Sequence, residues 1–355
     1  MSEHRHIRSL GVERPLQAFF AGYDEGPPGD GEVRLDTLYT GLSAGTELTF
    51  YKDTNVYLRH RWDAGRNVFI PNEPQQHFPV PFLGYMEMGR VAESRAGGFI
   101  PGDLIGGAWG HKSGHTANPF HDVLTHLPAD LDPVLGIYVG QMGPIAANGI
   151  LHADAELMGP VVPSLGASLA GRPVLVIGAG VVGIFVALFA QRAGASEVVI
   201  ADPSPFRRLR CECLGMTAMD EEQAWQHAKS RWLHGGDDRG ADVVFQTRAD
   251  SSSLHRALKA LRPQGTVVDL AFYQGGADAA WLGEEFHHNG LSIRCAQINR
   301  VPRGMGFAWD KARLARETVA LLAARGAEIK AQVVTHIVPY DEGPQFLDHL
   351  VRDRP

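Results

Sequence analysis

Three glycines place the first chemical constraint on this chain. Gly178, Gly180 and Gly183 follow the apolar run Val174 to Ile177 in the spacing G-x-G-x-x-G and lead into an apolar helical segment. Gly178 permits a tight turn, Gly180 lets a pyrophosphate approach the backbone, and Gly183 lets the helix pack close to the strand. The first helical turn, at Val181 and Val182, offers unpaired N–H groups and a partial positive charge to phosphates. A second apolar run, Val198 to Ala201, ends at Asp202, 24 positions after Gly178. A carboxylate there can accept hydrogen bonds from ribose hydroxyls. Arg207 and Arg208 follow closely, and a basic residue in that place can accept a 2′-phosphate, but Asp202 would repel it. The pattern predicts a bound dinucleotide, NAD rather than NADP. Thr247 ends a further strand and should sit at the C-terminal edge of the sheet, where ligands bind.

The elements around these residues read as regular strand–helix alternation from about Pro173 to Ile298. Helices are expected over Pro205 to Gly215, Glu221 to Leu233 and Ser252 to Leu261, and strands over Ala241 to Thr247, Gly265 to Phe272 and Leu291 to Ile298. This predicts an α/β domain, a doubly wound parallel sheet with helices on both faces. The N-terminal part differs. Short runs such as Glu32 to Tyr39 and Gly89 to Ala92, broken by glycine and proline, suggest a β-rich domain with irregular loops. Near the C-terminus a helix, Asp310 to Arg325, is expected to precede a strand, Gln332 to Val338. Val174 to Ala190 is an uncharged run of 17 residues bracketed by Arg172 and Arg192. Its glycines mark a strand and a helix rather than a membrane span.

The chain has 355 residues, 44% apolar and 21% charged, with a formal charge of −7. That is enough for two domains. The acidic balance argues against a nucleic-acid or anionic-membrane partner. The N-terminus shows no apolar signal core. The three cysteines, Cys211, Cys213 and Cys295, suit a reducing cytoplasm better than a disulfide scaffold. Cys211 and Cys213 fall on different faces of a predicted helix and are read as structural.

Motifs spread over most of the chain resemble the medium-chain dehydrogenase/reductase superfamily. They are Gly41-Leu-Ser-Ala-Gly-Thr-Glu47, Gly84-Tyr-Met-Glu-Met-Gly89-Arg90-Val91, Gly102-Asp103 and Thr335-His-Ile-Val-Pro339-Tyr-Asp-Glu-Gly343. With WGHKSGH and EEFHHN they look most like the subgroup of bacteriochlorophyllide a dehydrogenase-like proteins. The resemblance implies a GroES-like β-rich catalytic domain over residues 1–143 and a Rossmann NAD-binding domain over 144–298. Residues 299–355 are then a return segment packing on the catalytic domain. It also implies one more apolar strand beyond a position such as Pro355, which VRDRP does not reach, and a homodimer or homotetramer. Phe272 and Tyr273 match the family loop that lies along the nicotinamide.

The departures from the family pattern bear on the chemistry. Zinc members place a cysteine in the first motif, a His-Glu pair in the second, and a cysteine or glutamate before the cofactor domain. This chain has Ser43 and Ala44, Tyr85 and Met86, and Gly140-Gln-Met-Gly143 there, and no cysteine in its N-terminal domain. No metal ligand is assigned, and zinc-independent chemistry is expected. Without zinc, a positioned side chain must move the proton or stabilise the alkoxide. Thr46 matches the family's proton-relaying hydroxyl, and Tyr85 replaces the metal-binding histidine. Glu87 stands where the second-motif carboxylate would be if shifted by one. His111 and His115 are candidate bases, since imidazole titrates near neutrality. An unfamiliar site built from His111, His115 and His121 with Glu47 or Glu87 also stays open, as does contact of His287 or His288 with substrate. The long segment from Tyr51 to Pro81, with Arg59, Arg61 and Arg66, reads either as the wall of a pocket for a bulky or anionic substrate or as a solvated loop.

The expected function is NAD-dependent interconversion of a secondary alcohol and its ketone in the cytoplasm, on a polyol, sugar-like or specialised small molecule. A zinc-free NADPH-dependent double-bond reductase and a non-catalytic dinucleotide-binding protein are the alternatives.

Overall fold

The computed structural model describes residues 3–352. The chain forms two compact units. One contains the residues up to Gln141 together with those from His336 on, and the other runs Met142–Thr335.

The first unit opens with an antiparallel ribbon, β1 (Arg5–Arg14) and β2 (Gln17–Glu25). Strand β3 (Val33–Thr40) leads through the Gly41–Thr46 loop to a short helix, α1 (Glu47–Tyr51). A small hairpin, β4 (His60–Asp63) and β5 (Val68–Pro71), precedes β6 (Glu87–Ser94), β7 (Leu104–Gly107), β8 (Gly114–Ala117) and β9 (Thr125–His126). Strands β8-β3-β6-β7-β9 make one antiparallel sheet. Val33 and Leu35 of β3 pack with Val91, Ile105 and Trp109 to form its core. Complete burial of such a side chain stabilises the fold by about 1.5–3 kcal/mol. The register matters for the site: Thr40 pairs with Glu87 across β3 and β6, while His115 pairs with Leu35 further back along β3.

The second unit begins with a long helix, α2 (Met142–Met158), that the sequence reading did not place. It continues through β10 (Pro173–Ile177), α3 (Val181–Arg192), β11 (Glu197–Ala201), α4 (Pro205–Cys213), β12 (Thr217–Met219) and α5 (Glu221–Arg231). A hairpin, β13 (Leu233–Gly235) and β14 (Asp238–Arg239), comes next. It is followed by β15 (Ala241–Gln246), α6 (Ser251–Ala260), β16 (Leu261–Asp269), α7 (Glu285–His288), β17 (Ser292–Cys295) and α8 (Lys311–Val333). The strand order β12-β11-β10-β15-β16-β17, parallel throughout, is the expected doubly wound sheet. Val174 to Ile177 are buried because helices cover both faces of a parallel sheet. The uncharged run divides into β10 and α3. No helix among the described residues is long and apolar enough to cross a membrane.

Two expectations change. The strand over Gln332 to Val338 does not form. Helix α8 continues to Val333 because Ile329 and Val333 extend its buried face, and Ile337 and Val338 beyond it are exposed and unpaired with any sheet. Residues 299–335 belong with the nucleotide-type unit, where α8 packs along α2 and α3, rather than with the return segment. The return is made by the last helix, α9 (Gly343–Arg352), whose Leu347 enters the core beside Leu10 and Val12. As expected for opposite helix faces, Cys211 is buried and Cys213 exposed, and all three cysteines are free.

Candidate active site

The turn after β10 has the geometry that its glycines predict. Gly178 holds φ at +102°, a left-handed conformation that favours glycine. A Cβ on Gly183 would lie 1.8 Å from the carbonyl oxygen of Gly178, so only glycine lets α3 close onto the strand. Gly180 precedes α3, and a Cβ there would meet open space. Val181 and Val182 form the half-buried first turn, whose N–H groups lack intrahelical partners. This cradle fits a dinucleotide pyrophosphate.

The neighbouring residues brace the cradle more than the sequence suggested. Asp202 is buried, and its carboxylate accepts from the Ala179 and Ser204 backbone N–H groups, each at 2.9 Å. Each oxygen keeps a second lone pair for a ribose hydroxyl. Arg207 lies 3.7 Å from the same carboxylate, and Arg208 donates to the Asp202 carbonyl at 2.7 Å. The Thr247 hydroxyl, expected at the cofactor, is shared between the carbonyls of Ile177 at 2.9 Å and Gly178 at 3.0 Å, so it clamps the turn. Tyr273 is likewise turned inward: its phenol donates to Asp269 at 3.0 Å, and burial followed by the Asp269 charge raises its pKa. Phe272 beside it is exposed.

In the β-rich unit, Tyr85, Ser43 and Thr46 form a hydroxyl cluster. The Tyr85 phenol donates to Ser43 Oγ and also bonds the Thr46 side chain, which caps no helix N–H. Burial, then the charge of Glu47, pushes the phenol up to about 12. Next to this cluster Glu47 Oε1 accepts from the Ser43 N–H at 2.9 Å, and Glu47 Oε2 meets His111 Nε2 at 2.5 Å. His111 Nδ1 lies 2.5 Å from Thr40 Oγ1, which donates to Glu87 Oε1 at 3.2 Å. The second Glu87 oxygen accepts from the Trp109 N–H at 2.7 Å. With Nε2 facing the Glu47 carboxylate and Nδ1 facing Thr40, the surroundings of the ring favour its protonated form. Burial opposes that charge, but Glu47 and then Glu87 outweigh it and raise the His111 pKa. Burial also raises the Glu87 pKa, against the pull of His111. Gly84, with φ +93°, admits the ring: a Cβ there would stand 2.7 Å from His111 Nδ1.

These placements sort the candidates. Tyr85 and Thr46 are brought together. His111 and Glu87 join one network, but at 2% and 0% exposure neither can touch a substrate directly. His115 is set apart on β8, stacked against Trp109, and burial followed by the Lys112 charge lowers its pKa. His121, His287 and His288 are exposed elsewhere. Sequence reasoning missed Thr40 and the pairing of Ser43 with Glu47. The four-residue interval from Ser43 to Glu47 was the available sign. The arginines of the Tyr51–Pro81 segment are each paired: Arg59 with Asp53 and Arg61 with Glu73 at 2.8 Å, Arg66 with Asp63 at 3.8 Å. They form no free clamp for an anionic substrate.

A catalytic zinc needs unspent thiolate, imidazole or carboxylate donors. Where the resemblance implies metal ligands, Ser43 and Tyr85 bond one another, while Glu47, Glu87 and His111 bond each other and the backbone. This donor set does not fit zinc. His255, Glu284 and Glu285 do converge within 4.8 Å, but in the other unit and partly exposed.

Residues 181–302 match the family model described as zinc-binding dehydrogenase. The chain is 22% identical to D-guloside 3-dehydrogenase of Escherichia coli over 98% of this chain and 97% of the relative. It is 26% identical to L-threonine 3-dehydrogenase of Shewanella woodyi, over 84% and 89%. Among solved structures, 2R,3R-butanediol dehydrogenase from Bacillus subtilis superposes with a TM-score of 0.71 at 16% identity, covering 98% of this chain and 96% of that one. That solved structure shares the fold of this chain over nearly its whole length, and the family model covers residues 181–302 of the chain.

Proposed function

We propose that this protein is an NAD-dependent oxidoreductase that interconverts a secondary alcohol, of polyol or sugar-like type, and its ketone without zinc. The observation that carries the reading is the Tyr85–Ser43–Thr46 hydroxyl cluster at positions where zinc-dependent family members place metal ligands. A bound nicotinamide supplies or accepts the hydride. The chain's own residues manage the substrate oxygen. During carbonyl reduction negative charge grows on that oxygen, and an aimed phenol O–H stabilises it and delivers the proton. With its pKa pushed up to about 12, Tyr85 stays protonated at neutral pH and serves as a donor. Ser43 and Thr46 orient the phenol, and half-buried Thr46 passes the proton between the phenol and solvent. Glu47, His111 and Glu87 hold the Gly41–Glu47 loop in place.

Asp202 favours NAD because its carboxylate repels a 2′-phosphate. The similar proteins named for a guloside, threonine and a butanediol favour a hydroxyl-bearing substrate over an isolated double bond. The reading includes a cytoplasmic homodimer or homotetramer, which sedimentation checks. The central test uses chelator-treated protein with a panel of polyols and secondary alcohols. Turnover with NAD should survive metal removal. Dependence on one tightly bound zinc, or preference for NADPH with an enone, would overturn the reading.

A further inference from the structure

Helix α2 carries a polar stripe that the reaction does not use. Asn148, His152 and Glu156 recur every fourth residue and so share one helix face. Asn148 and His152 are buried. The Asn148 amide nitrogen donates toward three backbone carbonyls, Gln297 at 3.1 Å, Arg300 at 3.3 Å and Ala296 at 3.5 Å. His152 Nε2 lies 2.9 Å from the Arg300 carbonyl, which only accepts, so Nε2 carries the proton. Burial lowers the His152 pKa and favours the neutral ring. Asn148 Oδ1 and His152 Nδ1 find no hydrogen-bond partner among the described residues. One turn further on, Glu156 accepts from Thr266 of β16 at 3.3 Å and pairs with Arg294 of β17 at 3.2 Å.

An apolar face would bury α2 against the sheet without the desolvation cost of two half-satisfied polar groups. What the stripe adds is a fixed turn at residues 296–300, where the chain leaves the C-terminal end of β17. The location gives that turn a role. The strand order reverses between β10 and β15, and each half of a doubly wound sheet takes one mononucleotide. The glycine turn and Asp202 lie in the β10-β11-β12 half and serve the adenosine and pyrophosphate. The turn after β17 lies in the other half, which is left for the nicotinamide mononucleotide.

We propose that Asn148 and His152 are positioning residues that hold turn 296–300 as a rigid wall for the nicotinamide half of the cofactor. This rests on the dinucleotide reading above. The test compares NAD with ADP-ribose, which lacks nicotinamide, by titration calorimetry on the full chain. The wild-type protein should bind both. If it binds neither, the dinucleotide reading itself fails. Asn148→Ala and His152→Ala should each weaken NAD about tenfold while ADP-ribose stays within about twofold. His152→Gln, which keeps a side-chain donor, should recover most of the loss. Equal weakening of both ligands, or no change in either, overturns the proposal. Should the alanine variants fail to fold, hydrogen exchange on the wild-type protein decides. NAD must slow exchange in residues 297–300 more than ADP-ribose does, and equal protection by the two ligands rejects the wall.

Discussion

Polar side chains work differently in the two units. Around the glycine turn they serve the backbone: Asp202 holds the N–H groups of Ala179 and Ser204, and Thr247 holds the carbonyls of Ile177 and Gly178. In the β-rich unit they also bond one another, from Tyr85 to Ser43 and from Glu47 through His111 and Thr40 to Glu87, while Glu47 and Glu87 each hold one backbone N–H as well. A backbone cradle tolerates changes at many positions, provided the glycines stay. A side-chain network fails when one member is lost, because its partners are then left buried without compensation.

That contrast is most directly broken at His111. His111→Gln removes the ring that links two buried carboxyl groups, Glu47 and Glu87, and should cost about 3–5 kcal/mol in urea denaturation. A loss below about 1 kcal/mol would mean that Glu47 and Glu87 are not both charged in the folded protein. Tyr85→Phe removes one hydroxyl and should lower kcat by about a hundredfold to a thousandfold with dinucleotide affinity unchanged. Near-normal turnover would take the phenol out of the reaction. Asp202→Ala probes the backbone side of the comparison. It should cost about 1–3 kcal/mol by orphaning the buried N–H of Ala179 and the part-buried N–H of Ser204, and it should weaken NAD binding as well. Unchanged stability with weakened NAD would mean that the carboxylate serves the ligand alone.

Proton linkage gives a finer test. The folded-state pKa values of His111 and Glu87 are raised. The native state therefore binds more protons than the unfolded chain. For His111, the stability is fully present below the ordinary imidazole range and is lost as pH rises through the raised value. Glu87 acts in the same direction from a lower starting pH. Wild-type melting temperature should thus fall as pH rises above about 6.5, and the fall should flatten in His111→Gln. The smallest effect belongs to the hairpin. Arg61→Ala breaks an exposed pair with Glu73 and should change stability by less than about 1 kcal/mol and leave activity intact.

The same contrast explains what could be read in advance. G-x-G-x-x-G, the apolar strand and Asp202 are local, so the glycine turn and the carboxylate that braces it were legible from spacing alone. Ser43, Tyr85 and the missing cysteines revealed that the familiar metal positions had changed. They did not reveal what replaced them. Thr40 meets Glu87 only through the β3–β6 register, and His111 reaches Glu47 across 64 residues of chain. His115, equally plausible by composition, pairs too far back along β3 to join them. The failed strand at Gln332 to Val338 has a similar cause: its β-branched residues promised a sheet position, but the buried face of α8 carries the helix on to Val333.

Asp202 has a consequence for anyone wishing to redesign cofactor choice. The usual route to an NADP enzyme swaps this carboxylate for a small neutral residue and recruits a nearby arginine. Here that swap would also unfasten Ala179 from the strand end and Ser204 from the loop that starts α4. Arg207 would lose its counter-ion in the same step. On the proposed NAD reading, selectivity and scaffold share one side chain, so a laboratory lineage evolving toward NADP has to repair the turn before it can profit from the new phosphate.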